Sequence, residues 1–129
     1  PYSASKACAE LVFRSYLESF FNNKNPLVKL GVARAGNVLG GGDWSQDRLV
    51  VDAMKNWNLN KLVKIRNPTA TRPWQHVLEP LFGYLMLGVT LHQNPERYSS
   101  SWNFGPQIDD TKTVEEIIKK RFYDYPISN

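Results

Sequence analysis

A tyrosine and a lysine lie four residues apart at the start of the sequence, in the run PYSASKA. Residues at i and i+4 share one face of a helix, so the phenol of Tyr2 and the ammonium of Lys6 can interact. The cation favours the phenolate form, and a phenolate can serve as a general base toward a hydroxyl group. The pair predicts an acid–base centre on a helix, although by spacing alone a solvated structural pair is the commoner outcome.

A glycine-rich segment, GNVLGGGDW at 36–44, follows the next predicted strand. Glycines let a backbone approach a flat ligand or a phosphate closely, because no Cβ stands in the way. In open α/β sheets, ligands bind where such loops leave the carboxyl ends of the strands. The segment therefore predicts a ligand-facing loop in which Asn37 donates to a phosphate. The plain alternative is a strand followed by a tight turn.

Two arginines, Arg66 and Arg72, flank a polar loop at 66–73. The guanidinium fork matches phosphate oxygens in a bidentate way, although a charged loop is more often only solvated. Trp74 is expected to pack rather than to stack on a base. His76 is expected to form hydrogen bonds at a helix start, since no other ligands with metal-site spacing accompany it.

The elements that must position these residues alternate between helices and short strands, which is typical of an α/β fold. The strand at 27–35 is expected to lie in a buried parallel sheet. In it Val28, Leu30, Val32 and Arg34 alternate with Lys29, Gly31 and Ala33. Apolar periodicity and turn residues predict helices at 3–22, 47–57, 77–92 and 113–122, strands at 27–35, 62–65 and 102–104, and loops at 36–44 and 66–73.

Composition narrows the classes of function. The chain has 129 residues and a net charge of +4, with 42% hydrophobic residues, which suits one packed domain. The basic excess is mild and forms no dense block, so a nucleic-acid partner is not expected. Cys8 is the single cysteine, which excludes an intrachain disulfide and favours the cytoplasm. No signal peptide or membrane-spanning run is visible, so no membrane partner is expected.

Taken in order, the motifs resemble the extended short-chain dehydrogenase/reductase family that acts on nucleotide sugars. The shared pattern is Tyr-x-x-x-Lys at 2–6, Arg-x-x-Asn-x-x-Gly at 34–40, Arg-x-Trp-x-His at 72–76 and WNFGP at 102–106. Within that family, the blocks at 34–49 and 65–81 resemble the CDP-glucose 4,6-dehydratases. The resemblance implies a partial NAD(P)-binding Rossmann-like fold with most of the small substrate-binding lobe.

The resemblance also implies a reaction and its catalytic residues. Such enzymes use tightly held NAD to convert CDP-glucose to CDP-4-keto-6-deoxyglucose, by hydride removal from C4, loss of water across C5 and C6, and hydride return to C6. By matched position, Tyr2 is the base for the O4 proton, and Lys6 binds the nicotinamide ribose. The backbone of Ala35 and Gly36 borders the nicotinamide.

Four further positions match the substrate-binding residues of the family. Asn37 and Arg72 are expected to contact the diphosphate of the nucleotide sugar, and Arg48 and Arg66 are expected near the nucleotide. No metal ligand is implied. The intact enzymes of the family form homodimers through helices like the one that carries Tyr2.

The chain departs from the family pattern at its beginning. The glycine-rich dinucleotide fingerprint and the acidic dehydration residues, which precede the Tyr motif in the family, are absent here. We therefore expect a single fragment, in which 1–40 is the end of the Rossmann domain and 41–129 is mainly the substrate-binding lobe. The isolated fragment is expected to be inactive. The alternatives are an epimerase or decarboxylase of the same family, and a non-catalytic binding module.

Overall fold

The computed structural model describes residues 1–21, 27–107, 111–121 and 127–128. Its helices follow the predicted periodicity closely, with the first one passing into a short π-helix. The helices are α1 (Tyr2–Tyr16), the π-helix (Leu17–Phe21), α2 (Leu49–Asn58), α3 (Leu78–Gln93), α4 (Pro95–Tyr98) and α5 (Val114–Arg121). The predicted ends of the first and last helices, at residues 22 and 122, lie outside the described residues.

The described strands are short, and they form four two-stranded sheets. They are β1 (Val32–Ala35), β2 (Asn37–Leu39), β3 (Val63–Lys64), β4 (Thr71–Arg72), β5 (Trp74–His76), β6 (Ser101–Phe104), β7 (Lys112–Thr113) and β8 (Ile127–Ser128). The pairs are β1 with β6, β2 with β5, β3 with β8 and β4 with β7. The pairs β2–β5 and β3–β8 are parallel, whereas β4–β7 is antiparallel.

The chain divides into two compact units. The first consists of Pro1–Arg34 and Leu81–Phe104. Here the aromatic ring of Phe104 lies edge-on to Tyr84, with the ring centroids 5.3 Å apart. Gly83 makes this approach possible, because a Cβ at that position would lie 2.3 Å from Phe104 Cδ1. The described residues of this unit include no fully buried side chain.

The second unit consists of Ala35–Pro80 and Gly105–Asn129, and it contains the described hydrophobic core. Helix α2, strand β3 and helix α5 meet there. The core side chains are those of Ala53, Trp57, Val63, Ile65 and Ile118, with Leu49 and Val114 packed against them. Helices α2 and α5, which are more than fifty residues apart in the sequence, supply different parts of this core. The core therefore forms only when these distant segments come together.

Helix α5 starts with a capping box formed by Thr113 and Glu116. The hydroxyl oxygen of Thr113 accepts a hydrogen bond from the backbone N–H of Glu116 at 3.1 Å, and the Thr113 N–H donates to the Glu116 carboxylate at 2.7 Å. Each residue thus satisfies a donor that the helix itself leaves open. The carbonyls of Ala70 and Pro68 accept from the N–H groups of Val114 and Glu115 in addition.

Three predicted segments differ in the structure. The strand expected at 27–35 is confined to β1, because within the described part of the chain only 32–35 have a partner strand. Its residues are half-buried or exposed rather than buried. The predicted loop at 36–44 contains β2, and the predicted loop at 66–73 contains β4. In both cases a distant segment supplies the hydrogen-bonding partner, which no local pattern reveals.

Candidate active site

Helix α1 begins at Tyr2 and carries Tyr2 and Lys6 on one face. The Lys6 Nζ lies 5.4 Å from the centroid of the Tyr2 ring, within cation–π range. Pro1 precedes the helix, its carbonyl accepts the Ser5 N–H at 3.0 Å, and the Ser5 hydroxyl donates to the Tyr2 carbonyl at 2.7 Å. Since Tyr2 is 75% exposed, its phenol is free to meet a ligand.

One helical turn beyond Lys6, Glu10 forms an ion pair with a strand residue. Its carboxylate accepts Arg34 Nε at 2.6 Å and Arg34 Nη2 at 2.5 Å, which is the bidentate geometry that arginine favours. The Ser101 hydroxyl donates to the same carboxylate at 2.8 Å, and Arg34 Nη1 donates to the Asn103 side-chain oxygen at 3.4 Å. We call these four residues the Glu10 cluster.

The Glu10 cluster shifts the titration of both charged partners. Hydrogen bonds from Arg34, and then from Ser101, lower the pKa of the Glu10 carboxyl to about 2, and the Glu10 hydrogen bond raises the pKa of Arg34. Sequence reasoning missed this pair. Arg34 was expected to continue the alternation of Val28, Leu30 and Val32, whereas in the structure its side chain is 44% exposed and binds Glu10.

The predicted cofactor-bordering backbone, Ala35 and Gly36, belongs to the second unit and is exposed. At Gly36 a Cβ would lie 2.7 Å from Pro73 Cγ and 2.8 Å from the Pro73 carbonyl oxygen. Close contact with Pro73 therefore explains this glycine without any ligand. The backbone N–H of Asn37 donates to the same carbonyl at 3.0 Å.

Asn37 opens β2 and lies opposite Trp74 in the parallel register with β5. It is half-buried and bonds through its backbone to Pro73, and Arg72 is exposed at the end of β4. The backbone of one predicted diphosphate contact is thus bonded to the residue that follows the other. Trp74 is half-buried, and its buried indole Nε1 has no hydrogen-bond partner within the described part of the chain.

Arg48 is the residue before α2, and its side chain is 67% exposed. The loop leading to it is braced by Asp43, whose carboxylate accepts the Ser45 backbone N–H at 3.0 Å and lies 3.9 Å from Arg48 Nε. Hydrogen bonds from Ser45 lower the pKa of Asp43, with Arg48 and Lys55 adding to the effect. The fourth predicted substrate residue, Arg66, is exposed beyond β3.

His76 has the structural role predicted for it, since its Nδ1 accepts the backbone N–H of Leu78 at 3.3 Å at the start of α3. Among the described residues, no group of three His, Cys, Asp or Glu side chains could hold a metal ion.

The candidate site residues are divided between the two units. Tyr2 and Lys6 lie in the first unit, and Ala35, Gly36, Asn37, Arg48, Arg66 and Arg72 lie in the second.

In sequence, the chain is 51% identical over 123 residues to a CDP-glucose 4,6-dehydratase from Salmonella typhimurium. The match covers 93% of this chain and 34% of that enzyme, so the chain spans about a third of the relative's length. The predicted resemblance is confirmed. No family model matches the chain.

Solved structures of nucleotide-sugar enzymes share the fold. A UDP-glucuronic acid 4-epimerase from Bacillus cereus, in complex with UDP-glucuronic acid and NAD, matches all of this chain and 38% of its own, with a TM-score of 0.79 and 18% identity. A dTDP-glucose 4,6-dehydratase from Streptomyces venezuelae, with NAD bound, matches 93% of this chain and 33% of its own, with a TM-score of 0.69 and 20% identity.

These matches confirm the predicted fold class, an α/β fold of the extended short-chain dehydrogenase/reductase type. Because the identities to the solved structures are low, they establish the fold and nothing further. None of the described helices is long and apolar enough to cross a membrane.

Proposed function

We propose that this chain supplies the Tyr/Lys acid–base centre and part of the substrate site for NAD-dependent dehydration of CDP-glucose to CDP-4-keto-6-deoxyglucose. The observation that carries the proposal is the 51% identity to a CDP-glucose 4,6-dehydratase over nearly the whole chain. Since the chain spans about a third of that enzyme, the activity is assigned to a complete enzyme that contains this segment. The isolated chain is expected to be inactive.

Tyr2 is assigned the role of the base. As the C4–H bond breaks and its hydride leaves, the proton on O4 passes to the Tyr2 oxygen, and C4 becomes a carbonyl. That carbonyl acidifies the proton on C5, so that water can leave across C5 and C6. Hydride return to C6, together with return of a proton to C5, then completes the 4-keto-6-deoxy product. The exposure of Tyr2 supports this role, because the phenol must reach a sugar hydroxyl.

NAD, when bound, supplies the acceptor and donor of the hydride. The residues present fit such a ligand, since the exposed face of α1 offers a phenol with an ammonium beside it. Lys6 is assigned to the hydroxyls of the nicotinamide ribose and to stabilising the phenolate of Tyr2. The exposed backbone of Ala35 and Gly36 is assigned to the edge of the nicotinamide.

Substrate binding is assigned to cations and an amide of the second unit. Asn37, whose backbone N–H binds the Pro73 carbonyl, and Arg72, the residue before Pro73, are assigned to the diphosphate. Arg48, braced by Asp43, and Arg66 are assigned to the nucleotide end. Exposed guanidinium groups suit this task, because they present planar forks to phosphate oxygens.

The remaining features of the proposal concern the whole enzyme. Residues 1–40 are assigned to the end of the Rossmann domain and 41–129 mainly to the substrate-binding lobe. We assign the enzyme to the cytoplasm and to a homodimer, with the nucleotide sugar as its small-molecule partner and with neither nucleic acid nor membrane among its partners. The single exposed cysteine fits a reducing compartment.

A hybrid enzyme tests the proposal directly. In it, this chain replaces the matching stretch of the Salmonella typhimurium enzyme, and conversion of CDP-glucose is followed by the absorbance of the 4-keto product. We expect dehydration, with CDP-glucose preferred over UDP-glucose and dTDP-glucose. A folded hybrid that binds NAD but releases a C4 epimer without loss of water would move the assignment to an epimerase. A folded hybrid that turns over nothing would favour a binding module.

The role of Tyr2 gives the first prediction. In the hybrid, Tyr2→Phe removes the proton acceptor and is expected to lower kcat by about a hundredfold or more, in line with general-base contributions of roughly 10²–10⁴. Binding of CDP-glucose is expected to change little. Tyr16→Phe is the matched control, because Tyr16 is an exposed tyrosine of the same helix and lies outside the site. Equal activity of the two variants would contradict the assignment.

A further inference from the structure

Helix α1 is tied to strands of its own unit by charged and polar side chains. Among the described residues, Arg34 on β1 and Ser101 on β6 both bind the Glu10 carboxylate of this helix. Hydrogen bonds between charged groups are roughly twice as strong as those between neutral groups, which makes the Glu10 cluster a firm attachment of α1.

The geometry of the Glu10 cluster constrains more than a single distance. Two nitrogens of Arg34 on β1 donate hydrogen bonds to the two carboxylate oxygens of Glu10. The Ser101 hydroxyl, on the second strand β6, donates to one of the same oxygens. A bidentate pair restricts rotation as well as separation, because both parallel bonds must keep their alignment. With a second strand as the other point of attachment, the cluster fixes how α1 is turned about its own axis.

Glu10 also lies on the catalytic face. Tyr2, Lys6 and Glu10 follow each other at intervals of four residues, which places them along one side of α1. We propose that Glu10, held by Arg34 and Ser101, is a positioning residue that sets the rotation and tilt of α1 and thereby aims Tyr2 and Lys6 at the reacting atoms. The inference rests on the proposed function, since it takes Tyr2 and Lys6 as the acid–base pair.

The length of the helix makes this positioning consequential. At 1.5 Å per residue, Tyr2 lies about 12 Å along the axis from Glu10. A tilt of roughly 10° about Glu10 would move Tyr2 by about 2 Å, and misplacement by 1 Å can cost about a hundredfold in rate. A small loosening at Glu10 is thereby amplified at the phenol.

The first test uses the chain itself and needs no activity. Cys8 is the single cysteine, it is exposed, and it lies on α1 two residues from Glu10, on the opposite side of the helix. A nitroxide on Cys8 reports the motion of α1 through its electron paramagnetic resonance line shape. Glu10→Gln is expected to give a narrower, more mobile spectrum.

Glu18→Gln is the matched control, because Glu18 is an exposed glutamate of the adjoining π-helix. Its spectrum is expected to match the wild type. Ser101→Ala, which removes one bond of the cluster, is expected to give an intermediate spectrum and is a milder substitute if Glu10→Gln fails to fold. If a folded Glu10→Gln or Ser101→Ala chain gives the wild-type spectrum, the inference is overturned.

The second test uses the hybrid enzyme. With rates expressed per bound NAD, Glu10→Gln is expected to lower kcat about ten- to a hundredfold while KM for CDP-glucose stays within about twofold. Arg34→Lys keeps the charge but loses the fork, and is expected to recover part of the rate lost in Arg34→Gln. A purely structural role would lower the number of active sites and leave the rate per site unchanged, which would overturn the inference.

The two tests separate the inference from the proposed function. An inactive wild-type hybrid would contradict the proposed function and with it the catalytic part of the inference, while the spin-label result would still decide whether Glu10 holds α1. An active hybrid in which Glu10→Gln and Glu18→Gln have equal kcat would overturn the inference and leave the proposed function standing.

Discussion

The carboxylate of Glu10 shows how a single residue can link a helix to two strands. Its pKa of about 2 arises because Arg34 and Ser101 donate hydrogen bonds to the ionised form. A carboxyl group whose pKa is lowered by hydrogen bonds in the folded state stabilises that state only while it is ionised. The Glu10 cluster therefore contributes to the stability of the fold at neutral pH and loses this contribution in acid.

The acid dependence is a prediction at this scale. In the folded state the pKa of Glu10 is lowered from its ordinary value of 4.5 to about 2. The contribution of Glu10 to the stability of the fold is therefore fully present above about pH 4.5 and is lost as the pH falls toward 2. Thermal unfolding of the wild type and of Glu10→Gln is compared from pH 7 to pH 2. We expect the difference between their midpoints to shrink across that interval, and Arg34→Gln to behave like Glu10→Gln. A constant difference would contradict the ion pair.

At the scale of elements, the adjacent glycines Gly40 and Gly41 have different surroundings: Gly40 is packed closely against another segment, and Gly41 lies in open space. A Cβ on Gly40 would lie 2.8 Å from Val77 Cγ1 and 3.0 Å from Val77 Cβ, whereas a Cβ on Gly41 would meet nothing within 4 Å. The Val77 N–H donates to the Leu39 carbonyl at 2.8 Å, so β2 and the segment after β5 cannot separate to make room.

We therefore predict different effects for the same substitution at these two positions. Gly40→Ala is expected to lower the free energy of unfolding by about 1–3 kcal/mol, the range for overpacking a tight contact. Gly41→Ala is expected to be neutral or slightly stabilising, because an alanine restricts the unfolded chain more than a glycine does. Urea denaturation of both variants measures the contrast. Equal losses would mean that the β2–β5 contact is looser than described.

At the scale of the whole molecule, the two units differ in how they are held. The fully buried apolar side chains of the described residues all belong to the second unit, where α2, β3 and α5 meet. The first unit leaves several large apolar residues of α1 and α3 open, among them Phe82 and Leu85 at 67% and 72% exposure. Burial of apolar area is the main favourable term in folding, so we expect the second unit to supply most of the stability.

Truncation of the core tests this distribution of stability. Ile118 is fully buried, and Ile118→Ala is expected to lower the free energy of unfolding by about 2–5 kcal/mol through lost burial and a residual cavity. Ile117→Ala is the matched control. Ile117 is the neighbour of Ile118 on α5 but is only half-buried, so its truncation should lower the free energy of unfolding clearly less. Both values come from denaturant unfolding of the whole chain. A larger loss for Ile117→Ala would place the core elsewhere.

Local features of the chain were predictable because the information lies within a few residues. The helical periods of α1, α2 and α3, the capping box at Thr113 and the i, i+4 placement of Tyr2 and Lys6 all follow from neighbouring side chains. The order of the four motifs, together with the blocks at 34–49 and 65–81, indicated the resemblance that the sequence comparison confirms. These features required no knowledge of which distant segments meet.

Only the tertiary structure decided which distant segments pair. Strands β2 and β4 are two or three residues long, too short to show a period, and they exist because segments far along the chain supply their partners. Glu10 and Arg34 are 24 residues apart, and Glu10 and Ser101 are 91 apart, so nothing local marks them as one cluster. The sequence determined that α1 presents a tyrosine and a lysine on one face. The fold decided that the next residue on that face, Glu10, is tied to two strands, because such long-range contacts form only after the chain has closed the loops between them.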